Sequence, residues 1–181
     1  MCDSLLSPLH RIPLPLPDCD RCGFTARTAS RPQVAHLVRE YAVQWQHLLT
    51  HPAPARAPRR TGTPGWSPLE HGCHARDMCL LFHSRLDAIL GIAPTSTPSA
   101  SDLPYRDEDP HRVSRELAGA AESLARRLAA CTAEDWDRAD PGLADPRLTV
   151  GFFTRHLLHD LAHGLAEAGG GPAHEELSWS N

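Results

Sequence analysis

With 181 residues, the chain is long enough for one domain with a sizeable core and too short for two ordinary ones, so residues 1–181 read as a single domain. A formal charge of -4 carried alongside scattered arginines offers no basic stripe for phosphates, which argues against nucleic acid as a partner. No run of about 18 apolar residues is present, which argues against a membrane partner, and all 18 basic residues are arginine, which rules out Schiff-base chemistry on a lysine.

The first residues lack a basic start followed by a continuous apolar stretch, so no secretory signal is expected and the chain is read as cytoplasmic. In that reducing setting the six cysteines, too few for a disulfide scaffold of this size, read as free thiols or metal ligands. Residues 1–30 alternate proline with apolar residues and end in Cys19-Asp20-Arg21-Cys22-Gly23-Phe24, an extended lead-in carrying a Cys-x-x-Cys pair. From Ser30 or Arg31 to Leu49, apolar residues recur at Val34, Leu37, Val38, Tyr41, Trp45 and Leu48, which predicts a first helix with Pro32 in its opening turn. The Pro/Gly-rich stretch from His51 to Trp66 predicts a long connection.

Ser67-Pro68-Leu69-Glu70 combines a serine cap, a proline at the first helical position and a glutamate three residues after the cap, so a second helix is expected from here to Leu90, with Gly91 ending it. Its inward stripe is expected near His74, Met78, Leu81, Phe82, Arg85 and Ile89. Ile92 to Glu108 forms another long connection. Asp109-Pro110 opens a third helix that runs to about Cys131, and Thr132 can cap a short turn around Glu134-Asp135-Trp136. Thr149 caps the last helix, with Val150, Phe153, Leu157, Leu161 and Leu165 inward and Gly169-Gly170-Gly171 as the stop; residues 172–181 read as a loose tail. No useful strand alternation occurs, so the expected fold is all-α, a four-helix bundle with long connecting loops.

On the last helix His159 and His163 stand at i and i+4, on one face, where two imidazoles can chelate one ion. Metal sites in bundles are assembled from facing helices, so His74 of the second helix is the expected third ligand, with His71 one turn back as its competitor. Three histidines leave an open position, the mark of a catalytic site. The alternative is a set of half-exposed histidines on a polar face. Asp160 and Asp77 could orient an imidazole by accepting its N–H, and each could equally be a solvated helix carboxylate. Cys19 and Cys22 form a second candidate metal site, which would need histidines or other cysteines to complete four ligands, and an unmetallated pair is an equal alternative. Cys73 and Cys79, inside the second helix, read as small core residues.

Taken together, Trp66 to Asp77, Trp136, and His156-Leu157-Leu158-His159-Asp160-Leu161-Ala162-His163 resemble the actinobacterial branch of the DinB-like metalloprotein superfamily. The resemblance implies a four-helix bundle with a histidine triad at His74, His159 and His163, and relatives that include mycothiol-dependent maleylpyruvate isomerases and mycothiol or bacillithiol S-transferases. The sequence departs from that pattern at His156, where a tyrosine is expected, and at Gly164, where relatives often carry another histidine. The expected cofactor is a divalent metal, zinc first, with nickel, iron or manganese as substitutes, and a mycothiol-like thiol is the co-substrate. A free thiol is mostly protonated at neutral pH, whereas coordination deprotonates it, so a metal-bound thiolate could be transferred to an electrophilic small molecule or used to isomerise one. Arg76 and Arg85 could bind a carboxylate or sugar of the thiol, the alternative being ordinary surface arginines. Alternative functions are metal-dependent hydrolysis by a bound hydroxide and non-catalytic, metal-dependent binding or detoxification. An exposed helix face could support a homodimer.

Overall fold

The computed structural model describes residues 18–25, 30–51, 65–93 and 104–169. Within them lie four α-helices: α1 (Arg31–Thr50), α2 (Pro68–Leu90), α3 (Pro110–Ala129) and α4 (Val150–Glu167). Two short 3-10 turns, Tyr105–Asp107 and Asp135–Asp137, precede α3 and α4. No strand occurs among the described residues, only two isolated bridges, Cys19 with Phe24 and Ala139 with Thr149. This is the expected all-α four-helix bundle. Most of the lead-in, much of the two long connections and the tail from residue 170 lie outside the described residues.

The helices begin where local chemistry requires it. At α2, the Ser67 side chain accepts from the Glu70 N–H while the Glu70 carboxylate accepts from the Ser67 N–H, so two backbone donors of the first turn are satisfied reciprocally. Gly91 then ends the helix in the left-handed region at φ 71°. Asp109 caps α3 by accepting from His111 and Arg112, and Thr149 caps α4 by accepting from Phe152. Thr132 and Asp135 exchange hydrogen bonds at the turn before Trp136, as expected there.

In the bundle α3 packs on both α1 and α2, α2 packs on α4, and α4 closes against α1. Trp45, Leu117, Leu124, Leu157, Leu158 and Leu161 are fully buried at the centre. Removing each from water contributes about 1.5–3 kcal/mol, which offsets the ordering of the chain. The inward face of α2 differs from the expectation. It follows Cys73, Arg76, Cys79, Phe82, Leu86 and Ile89, while His74, Met78, Leu81 and Arg85 are only half-buried. Arg76 can face inward because three carboxylates surround it: Asp77, Glu108 and Glu116. That pairing offsets the cost of burying its charge.

Candidate metal centre

The Cys-x-x-Cys segment folds as a tight knuckle. The Cys19 N–H donates to the Phe24 carbonyl at 2.8 Å and the Gly23 N–H donates to the Cys19 carbonyl at 2.9 Å. Gly23, at φ 71°, supplies the left-handed turn that an L side chain would resist. The chain thereby reverses within six residues, and both sulfurs end on the side that meets α4.

Three contacts hold the knuckle there. Phe24 is buried with its ring 5.3 Å from that of His159. Cys22 is fully buried in the main core cluster. Arg21 donates to Glu167 at the C-terminal end of α4. The consequence is a convergence of distant residues: the ligand atoms of Cys19, Cys22, His159 and His163 all lie within 4.8 Å of one another. Cys19 Sγ is 3.5 Å from His163 Nδ1.

The outer edges of both imidazoles meet carboxylates. His163 Nε2 lies 3.2 Å from Glu167 Oε1, and His159 Nδ1 lies 3.9 Å from Asp160 Oδ1. His159 Nε2 is buried without a hydrogen-bond partner. A carboxylate within hydrogen-bond distance of one ring nitrogen fixes the tautomer and leaves the other nitrogen's lone pair free to bind a metal; Asp160, at 3.9 Å, is too far from His159 to do so. Glu167, which the sequence alone did not single out, is close enough to do so for His163 and also reaches His71 Nε2 at 3.9 Å.

Electrostatics favour an anionic sulfur at this place. Interaction with the His159 side chain is the largest cause drawing the Cys19 thiol down from 9.0 to about 6. Burial pushes Cys22 the other way. Two thiols and two imidazoles so placed could hold a metal ion, and the buried, unpartnered His159 nitrogen is an observation that such an ion would explain.

The other expected site residues are placed as follows. His74 belongs to neither of the two groups of ligand atoms that converge among the described residues. Its ring lies 5.3 Å from that of Trp66, which also meets His71 and Tyr105 edge-on. His74 is nevertheless near enough to α4 to act on His156, whose imidazole is held below its ordinary pKa chiefly by burial. Asp77 accepts from Arg76 Nε at 2.8 Å and from the Tyr105 hydroxyl at 2.7 Å, which ties the connection before α3 to α2. Arg76 is buried among its carboxylates, and Arg85 pairs with Asp140 and lies over the Phe153 ring, so both guanidiniums have partners inside the protein. Cys73 and Cys79 are fully buried core residues, with thiols pushed up to about 11 and about 12 by burial.

No family model, curated protein or solved structure matches this chain. The resemblance to DinB-like proteins therefore rests on the motif residues alone.

Proposed function

We propose that the protein binds one zinc ion through Cys19, Cys22, His159 and His163, and that the ion fastens the N-terminal knuckle to the last helix. The single observation that carries this reading is the convergence of the Cys-x-x-Cys pair and the His-x-x-x-His pair from opposite ends of the chain. Two thiolates and two imidazoles form a donor set that suits tetrahedral zinc. With bonds of about 2.3 Å to sulfur and about 2.0–2.1 Å to nitrogen, the sulfur–nitrogen edge of such a tetrahedron is about 3.5 Å. The Cys19 to His163 separation is 3.5 Å. Bound zinc keeps both thiols deprotonated and adds its binding energy to the fold. Four protein ligands close the ion, as in sites that hold shape, and the chain itself supplies the sulfur that the resemblance assigns to a small thiol.

A second reading keeps the open triad of His74, His159 and His163. It draws on the position of α2's imidazoles, since His71 is acted on by both His74 and His163. Here a divalent ion holds a mycothiol-like thiolate for transfer to, or isomerisation of, an electrophilic small molecule, with hydroxide-based hydrolysis or ligand sequestration as variants. Elemental analysis of purified protein after dialysis against a weak chelator separates the readings. One zinc per chain should be lost in Cys19→Ser and His163→Ala and kept in His74→Ala. Zinc lost from His74→Ala but kept in Cys19→Ser, together with thiol adducts on a panel of electrophiles, would move the assignment to the triad.

A further inference from the structure

One turn along α4 from the knuckle, His156, His159 and Asp160 bring their own ligand atoms within 4.8 Å of one another. Residues 156 and 160 are related by i, i+4 and residues 156 and 159 by i, i+3, so Asp160 and His159 both flank His156 on one face of the helix. The Asp160 carboxylate spans the two rings, with Oδ2 at 3.5 Å from His156 Nε2 and Oδ1 at 3.9 Å from His159 Nδ1. Both separations exceed an ordinary N–H···O hydrogen bond of about 2.7–3.2 Å. The shorter of them is near the edge of about 3.3 Å that separates two oxygen or nitrogen ligands on one tetrahedral ion.

His156 lacks the partners that a half-buried imidazole needs. Its Nδ1 is buried with no hydrogen-bond partner. The rings of Phe82 and Phe152 lie 6.2 and 6.5 Å from its own, and so present it with an apolar wall. A buried polar group without a partner costs about 1–3 kcal/mol. The Nδ1 edge is not the one that meets Asp160; an ion shared with the carboxylate would sit at Nε2, whose separation from Oδ2 is 3.5 Å. His159 is likewise buried and unpartnered at its own Nε2, which leaves its two nitrogens on different business: one toward the knuckle sulfurs, the other toward Asp160.

We propose that α4 carries a second, open site for a divalent transition-metal ion, built from His156, Asp160 and the outer nitrogen of His159, so that the His159 ring bridges two ions. The proposal rests on the zinc reading in one respect, that the other nitrogen of His159 serves the knuckle. Two nitrogens and one carboxylate oxygen suit iron, cobalt, nickel or copper ions over calcium or magnesium. They leave at least one coordination position for water or a small ligand, unlike the four-ligand centre beside it. Binding of the second ion would require the proton on His159 Nδ1 to leave to solvent and would bring in Asp160, 3.9 Å from that nitrogen, as a ligand.

The test uses the full chain loaded with one equivalent of zinc and titrated with Co(II), and in parallel the metal-free chain titrated with Co(II) alone. The zinc-loaded protein should take up one further equivalent, with a ligand-field spectrum lacking a thiolate-to-cobalt band and without releasing zinc. His156→Ala and Asp160→Asn should each abolish this equivalent, while metal-free His156→Ala still develops the thiolate band of the knuckle site. Cys19→Ser should weaken or lose that thiolate band, which reads the zinc assignment separately. Uptake of no further cobalt, uptake only as zinc is released, or full uptake by His156→Ala would each overturn the second site. Unchanged helical circular dichroism in the variants ensures that lost uptake reports the ligands.

Discussion

The two cysteines of the knuckle differ in ways that chemistry can read. Cys19 is partly exposed and its thiol is drawn down to about 6, whereas Cys22 is fully buried and raised by desolvation. In the metal-free chain, alkylation by iodoacetamide should therefore favour Cys19. Its rate should rise through pH 6 and level off near neutrality, where an ordinary thiol is still gaining reactivity toward 9. Peptide mass spectrometry would show this, and equal labelling of Cys22 or Cys79 would contradict it. The sign for stability follows from the same shift. A depressed acid contributes in full above pH 9, and that contribution is lost as pH falls through about 6. Glu167 acts through His163: with Glu167→Gln, the ring loses the charge on its Nε2 edge and the knuckle loses its anchor at Arg21. Zinc affinity, measured by competition with a chromogenic chelator, should fall about 10–100-fold.

At the scale of the helix, starts and stops were the legible part of the sequence. Caps are local, so Ser67, Asp109, Thr149 and Gly91 could be read directly, and the helices begin and end within two residues of the expected positions. The inward face of α2 was legible only in part: Cys73, Cys79, Phe82 and Ile89 read as core residues and are buried, whereas Arg76 reads as a thiol-binding or surface arginine and not as one that packs inside. Arg76 is buried because Glu108 and Glu116 arrive from a distant part of the chain, and the stripe rotates toward Cys73, Arg76 and Cys79 accordingly. The candidate centre was legible in halves, since each pair of ligands has recognisable spacing, but nothing local says that residues 19–22 meet residues 159–163. Gly164 gives the helix scale its own test. A Cβ built there would sit 3.0 Å from Cζ2 of Trp45, whose indole is fully buried at the α1–α4 contact. The helix keeps a glycine because that ring fills the space an additional histidine would need. Gly164→His should cost at least about 1–3 kcal/mol by overpacking, read as a lower denaturant midpoint with unchanged slope. A variant as stable as the parent would show that the indole can move aside.

Across the whole molecule, the proposed zinc is a cross-link between the two ends of the fold. The main core cluster runs through all four helices and does not depend on the ion, so the bundle should survive chelation. What the ion restricts is the unfolded chain, by closing the loop from residue 22 to residue 159. Loop-closure entropy for a cross-link spanning more than a hundred residues is about 5 kcal/mol, an upper figure for the gain beyond local ordering of the knuckle. For a chain of this size, each kcal/mol moves Tm by about 2–4 °C, so removal of the ion should lower Tm by up to about 10–20 °C. Calorimetry with and without chelator, paired with limited proteolysis, would measure both parts of this expectation. Metal-free protein should keep its helical signal at 25 °C while becoming cleavable on the N-terminal side of α1, where Arg21 would no longer be held against Glu167. An unchanged Tm would mean that the knuckle docks through Phe24 and Cys22 alone. Collapse of all helical signal would mean that the ion organises the bundle itself.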